Sequence, residues 1–143
     1  MDKPLWHIPV APCPAPRMTQ RDRWKKRPCV QRYHHFRDGI NRFLREHAIN
    51  HSSLPERFTA VFYIPFPKSK SKKWKKANVW EGHKAKPDTD NRVKAFLDAW
   101  FRDADTDDSH VWDVRGVKVW CPEGQGAIEV YESEKLGFET NKK

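Results

Sequence analysis

The chain lacks the features of membrane-spanning, secreted and disulfide-stabilised proteins. None of its apolar runs approaches the ~20 residues that a membrane-spanning helix needs. The first ten residues lack the basic end, apolar stretch and small-residue cleavage site of a signal peptide. Cys13, Cys29 and Cys121 are widely spaced without a C-x-x-C pair, which is typical of reduced thiols rather than a structural zinc site. We therefore expect a cytoplasmic protein.

Acidic residues are also scarce relative to basic ones. The 143 residues include 28 Lys and Arg against 19 Asp and Glu, which gives a formal net charge of +9. Such a surplus indicates a polyanionic partner, nucleic acid first. General solubility would explain the surplus, but not its clustering beside aromatic residues, around Trp24 in 17–27 and around Trp74 in 68–76. The clusters favour nucleic-acid binding.

The chain reads as one domain between a basic, proline-rich arm (1–29) and a loose tail (136–143). Hydrophobic periodicity and turn residues predict, in order, a short edge strand near 6–10, an amphipathic helix over 30–48, a strand covered on both faces over 57–64, a helix from Asp90 to about 102, and strands over 111–121 and 127–131. A turn over 122–126 joins the last two strands, and Gly116 suggests a bulge.

The lysine-rich segment 68–86 is predicted to be a loop or long hairpin. Six of the nine residues 68–76 are lysines, too polar for a core and too basic to fold alone. One interpretation is a solvated loop. The other is an arm that contacts phosphates, with Trp74 or Trp80 stacking on an unpaired base.

The most informative segment is 86–94, KPDTDNRVK, because acids in a basic nucleic-acid-binding protein repel phosphates and need another role. Pro87 favours an extended chain up to Asp90, so that Asp88 and Asp90 point to the same side. Two such carboxylates suit Mg²⁺, which prefers oxygen ligands. Lys94, one helical turn after Asp90, could hold a scissile phosphate or stabilise developing charge. The alternative is structural, with Asp90 as a helix cap and Lys94 paired with Asp98.

Two other acidic motifs fail. The loop from Asp103 resembles the start of an EF-hand, but Asp108 occupies the position of the turn glycine and Val114 that of the bidentate glutamate. A PD-(D/E)xK nuclease motif would need a lysine with an acid two residues before it, and no lysine after Asp88 has one. We therefore expect neither calcium binding nor that nuclease type.

The motif that fits is carried by two segments, 86–100 (KPDTDNRVKAFLDAW) and 107–111 (DDSHV), with Lys118 in the next predicted strand. They resemble the pattern R/K-x-D-x-D-N-x-x-K-A-x-x-D-A-L followed by D-D-x-Q-V of the RusA family of Holliday junction resolvases, common in bacteriophages and prophages. The resemblance is strong over about 30 residues.

The resemblance implies a structure-selective endodeoxyribonuclease of DNA recombination and repair, in a bacterial or phage-infected cell. Asp88, Asp90 and Asp108 would bind Mg²⁺, for which Mn²⁺ can substitute, and Lys94 would be the catalytic lysine. The fold would be α+β, a small mixed sheet of about four strands with two main helices. The partners would be branched DNA and a second copy of the chain in a homodimer, without a membrane. We predict DNA contacts for Arg17, Arg21, Arg23, Lys70, Lys72, Lys73, Lys75, Lys76, Lys86 and Lys118.

The chain departs from the family pattern in three places. Residues 102–106 replace the usual glycine and aromatic, His110 stands where Gln is common, and the insertion 68–76 is unusually long. The first departure leaves Asp107 open as an alternative to Asp108. Two other functions remain as hypotheses: a catalytically silent protein that binds branched DNA, and a binder of structured RNA.

Overall fold

One mixed sheet of four strands organises the protein. The computed structural model describes residues 3–16, 28–84, 89–104 and 108–133. The strands are β1 (Trp6–Ile8), β2 (Arg57–Pro65), β3 (Asp113–Cys121) and β4 (Ala127–Glu132), in the spatial order β1-β4-β2-β3. β2 and β3 are parallel, whereas β4 is antiparallel to both β1 and β2.

The described part of the chain has three α-helices beside the sheet: α1 (Pro28–Glu46), α2 (Lys72–Asn78) and α3 (Thr89–Trp100). The expected α+β fold with two main helices is confirmed, since α1 and α3 are long and α2 is short. α3 begins one residue earlier than predicted, so that Asp90 lies in its first turn rather than at its cap. In the described ranges, no helix is both long and apolar enough to cross a bilayer.

The core lies between one face of the sheet and helices α1 and α3. Phe58 and Phe62 of β2 are buried on that face, and Phe96 of α3 packs edge-on against both rings. The indole N–H of Trp100 donates to the carbonyl of His51 at 2.9 Å, which satisfies the one polar atom of a fully buried side chain. The opposite face of β2 is only partly buried, so the prediction that both faces are covered was wrong.

The order of the strands departs from a simple hairpin. Residues 122–126 form the predicted turn, with Gly124 at φ 79° and the N–H of Gln125 donating to the carbonyl of Pro122 at 3.2 Å. β4 nevertheless pairs with β2, which lies between β3 and β4. Turn residues specify a reversal of the chain, whereas the pairing partner depends on long-range packing.

The lysine-rich segment is helical over part of its length, so its prediction as a loop or hairpin was wrong there. Ser71 caps α2, its hydroxyl accepting a hydrogen bond from the N–H of Trp74 at 3.1 Å. The ring of Trp74 packs edge-on against Phe66 and Trp120, at 5.7 and 5.2 Å between centroids. Trp74 is therefore a packing residue that anchors a cationic helix, and not a platform for a base.

Gly116 allows α3 to approach β3 closely. The register of β3 against β2 continues through the pair Ala60–Gly116, so the suggested bulge is absent. A Cβ atom at this position would lie 2.4 Å from Cγ2 of Thr89 and 2.9 Å from Cγ2 of Val93. The glycine thus determines how near the first turn of α3, which carries Asp90, sits to the sheet.

We predict that Gly116→Ala destabilises the protein by about 1–3 kcal/mol, because the added methyl group must displace α3. Urea unfolding measures the loss. Gly82→Ala is the matched control, since a Cβ there meets nothing within 4 Å. Equal stability of the two variants would contradict close packing at Gly116.

Candidate active site

The exposed flank of α3 carries three charged residues at intervals of one helical turn: Asp90, Lys94 and Asp98. Asp90 lies in the first turn, where the helix dipole stabilises a carboxylate. Its Oδ1 accepts a hydrogen bond from the N–H of Asn91 at 2.9 Å, which leaves Oδ2 for another ligand. The flank therefore presents an ammonium group with a carboxylate on either side.

Asp108 lies in a short 3₁₀ helix, Asp108–His110, just before β3. This turn is held in place because an imidazole nitrogen of His110 bonds the carbonyl of Leu54 at 3.0 Å. Partial burial raises the pKa of the Asp98 carboxyl, Lys94 lowers that pKa, and the Asp108 carboxylate raises it. Asp108 therefore lies within electrostatic reach of Asp98, which follows Lys94 by one helical turn.

Two of the predicted carboxylates can thus be placed relative to Lys94. Asp90 precedes Lys94 by one turn on α3, and Asp108 acts electrostatically on Asp98, one turn after Lys94. Six of the predicted site residues lie outside the described residues: Asp88, Asp107, Lys86, Arg17, Arg21 and Arg23. Within the described residues, no three His, Cys, Asp or Glu side chains gather where a metal ion could be held. The ligand set that includes Asp88 stays a prediction.

The N-terminal segment that follows β1 is attached to the start of α3. The N–H of Ala15 donates to Oδ1 of Asn91 at 2.7 Å, directly beside Asp90. Trp6 of β1 also packs against Trp100, with 5.1 Å between ring centroids. These contacts hold both ends of the helix that carries Lys94, so the segment before residue 17 supports the site.

Sequence reasoning missed Arg92, which is only 5% exposed. Burial lowers the pKa of its guanidinium, and its Nε has no hydrogen-bond partner among the described residues. A signal was present, because Arg92 precedes Phe96 and Trp100 by four and eight residues and so falls on the buried stripe of α3. Asp98 was also missed as a neighbour of Asp108.

The predicted DNA-binding lysines of 68–76 form an exposed cationic surface around α2. Lys70, Lys72, Lys73 and Lys76 are exposed, whereas Lys75 pairs with Glu123 at 2.6 Å. Lys118 lies elsewhere, on β3. Since Gly116 faces the start of α3 and side chains alternate along a strand, Lys118 faces the same side. Lys118 is therefore near the beginning of the helix that carries Asp90.

Comparison with known protein families gives one match. The family model described as endodeoxyribonuclease RusA covers residues 9–131, most of the chain. The matched range includes α3, the 3₁₀ helix with Asp108 and all strands except β1 and the last residue of β4. Comparison with curated proteins gives no match.

Proposed function

We propose that this chain, which belongs to the RusA endodeoxyribonuclease family and is therefore a nuclease, resolves four-way DNA junctions by paired symmetric nicks. The observation that carries the proposal is the exposed flank of α3, which presents Asp90, Lys94 and Asp98 at intervals of one turn in a chain of net charge +9. Exposed acids of this kind oppose DNA binding unless they serve the reaction.

The chemistry of the carboxylates suits a hard divalent cation. Asp90 and Asp108 are exposed, and they offer the oxygen donors that Mg²⁺ or Mn²⁺ prefers. We assign Asp90 and Asp108, with Asp88, as the residues that would hold it. When bound, the ion supplies a water of lowered pKa and offsets phosphate charge.

Lys94 acts on the phosphate itself in this proposal. Its ammonium group is exposed between the carboxylates, where it can bind a non-bridging oxygen as negative charge develops. Lys118 lies near the start of α3 and can hold the flanking backbone, while the lysines around α2 contact phosphates further along the strand. The basic side chains thereby fix the scissile bond over the acids.

A homodimer follows from the symmetry of the proposed substrate. A four-way junction needs two equivalent cuts, and a two-fold assembly places two identical active sites on it. The homodimer is therefore part of the proposal.

A nicking assay on an end-labelled four-way junction tests the proposal. We expect two symmetric nicks with Mg²⁺, none with EDTA, and little cutting of a linear duplex with the same arm sequences. Binding of the junction without nicking at any Mg²⁺ or Mn²⁺ concentration would instead favour the catalytically silent DNA-binding protein. Tighter binding of structured RNA than of the junction would favour an RNA partner.

A further inference from the structure

A cavity lies away from the carboxylates, on the sheet face opposite α1 and α3. It has a volume of about 400 Å³. We call it the Trp80 pocket; it is lined by His7, Tyr63, Trp80, Gln125, Ala127 and Glu129. Tyr63 pairs with Ala127 and His7 with Glu129 in the sheet register, so one face of three neighbouring strands forms its floor.

Trp80 forms an aromatic wall that the core does not require. Its side chain is 55% exposed, and its ring stands edge-on to Tyr63 with 6.0 Å between centroids. Its backbone has φ 63°, which is rare for a bulky residue, and its N–H donates to the carbonyl of Trp120 at 2.9 Å. Strained positions of this kind cluster at ligand sites. The indole face is thus held in place and available.

Glu129 provides a fixed acceptor beside that wall. Its Oε1 accepts from the hydroxyls of Tyr63 and Tyr131 at 2.8 and 2.9 Å, and its Oε2 lies 2.9 Å from Nδ1 of His7. Burial raises the pKa of Glu129, but the hydrogen bonds from His7, Tyr63 and Tyr131 outweigh it, so the pKa is lowered. The tyrosines occupy both lone pairs of Oε1, whereas Oε2 retains one.

The pocket adjoins the cationic surface around α2. Trp80 follows the end of α2 at Val79 directly, and Lys75 of α2 pairs with Glu123 in the turn that also contains Gln125. A DNA strand whose phosphates contact these lysines would pass the mouth of the pocket. A stacking surface beside a cationic helix is the usual arrangement for binding unpaired bases.

We propose that the Trp80 pocket binds one unpaired nucleobase of the DNA substrate, stacked on Trp80, with its exocyclic amino group donating to Oε2 of Glu129. The inference rests on the proposed function, since bases at the point of strand exchange lack a continuous stack and unpair more readily than bases within a duplex. Cytosine, adenine and guanine carry such an amino group, and thymine does not. The pocket therefore favours cytosine over thymine.

The test is fluorescence anisotropy of the full chain with oligo(dC) and oligo(dT) of equal length, in EDTA. Trp80→Asn is the main variant, because Asn tolerates a left-handed backbone and lacks the ring. We expect it to weaken oligo(dC) binding about tenfold, and Trp80→Phe to retain most of the affinity. Trp112→Asn is the matched control: Trp112 is 52% exposed, lies just before β3, and should leave the affinity within about twofold.

Glu129→Gln tests the acceptor separately. We expect wild-type protein to prefer oligo(dC) about threefold to tenfold, the worth of one hydrogen bond, and the variant to lose that preference. The ratio of the two affinities is independent of the fraction of folded protein. Equal preference in wild type and variant would overturn the role of Glu129.

The outcomes separate this inference from the proposed function. If Trp80→Asn weakens oligonucleotide binding but wild-type protein never nicks a junction, the pocket stands and the proposed reaction fails. If wild-type protein nicks junctions while Trp80→Asn and Trp112→Asn bind oligo(dC) equally well, the reaction stands and the pocket is refuted. A change of oligomeric state in Trp80→Asn without a change of affinity would also refute it, by making this face a contact between copies.

Discussion

Asp90→Asn is expected to reduce junction nicking in Mg²⁺ by more than about 100-fold, since replacing even outer partners of metal ligands costs 10–100-fold. The amide retains an oxygen that can accept the N–H of Asn91, so α3 should still form. Binding should stay the same or become tighter, because a negative charge is removed from a surface that meets phosphates. Single-turnover cleavage and anisotropy on the same junction measure both effects.

Asp103→Asn is the matched control for this experiment. It makes the same change of charge at an exposed position just after α3, at the opposite end from Asp90. We expect its nicking rate to stay within about threefold of wild type, as for a surface position without a special role. Similar rates for the two variants would contradict the assignment of Asp90, and a loss of binding by Asp90→Asn would point to misfolding.

Lys94→Met is expected to slow nicking at saturating protein by about 10²–10³-fold, the usual cost of removing a group that stabilises charge in the transition state. Methionine keeps the unbranched stem of the side chain and its helix propensity. The variant should lose no more than about one unit of slope in the salt dependence of binding, as for a single phosphate contact. A rate defect much larger than the binding defect would support a role in the reaction.

The variant Lys76→Met distinguishes a lysine that only positions the DNA from one that acts in the reaction. Lys76 is exposed on α2 rather than on the flank of α3, and is predicted to contact a phosphate only. We expect a weaker affinity and a shallower salt dependence, but an unchanged rate once the junction is saturated. If both lysine variants behave alike, Lys94 binds DNA without acting on the reacting phosphate.

Local pattern was sufficient to predict most elements of the fold. The periodicity of α3 placed Phe96 and Trp100 in the core, and the alternation along β2 placed the buried face of that strand, because each element buries one continuous face. The pattern did not show that Arg92 is buried or that the other face of β2 is partly exposed. The motif around Asp90 and Lys94 also led to the family, which the match over residues 9–131 confirms. Spacing along a helix translates directly into position on its flank, so this part of the site needed no tertiary information.

Long-range packing could not be predicted from local sequence patterns. Trp74 stands among lysines, and only its contacts with Phe66 and Trp120 show why α2 forms there. The position of β2 between β3 and β4 depends on pairing across the whole chain. The Trp80 pocket combines side chains from four separate segments, so no local window of sequence contains it.

The pairing of β1 with β4 has a consequence for biosynthesis. His7 and Glu129, which face each other in this pairing, are 122 residues apart, so a growing chain on the ribosome already carries α3 before β1 has its partner. Contacts between residues so far apart in sequence form late in folding, because the entropy of closing a long loop is lost before the contacts stabilise the chain. Docking of β1 brings Trp6 against Trp100 of α3. Nascent chains therefore lack this contact with α3 until the last strand of the sheet has been made.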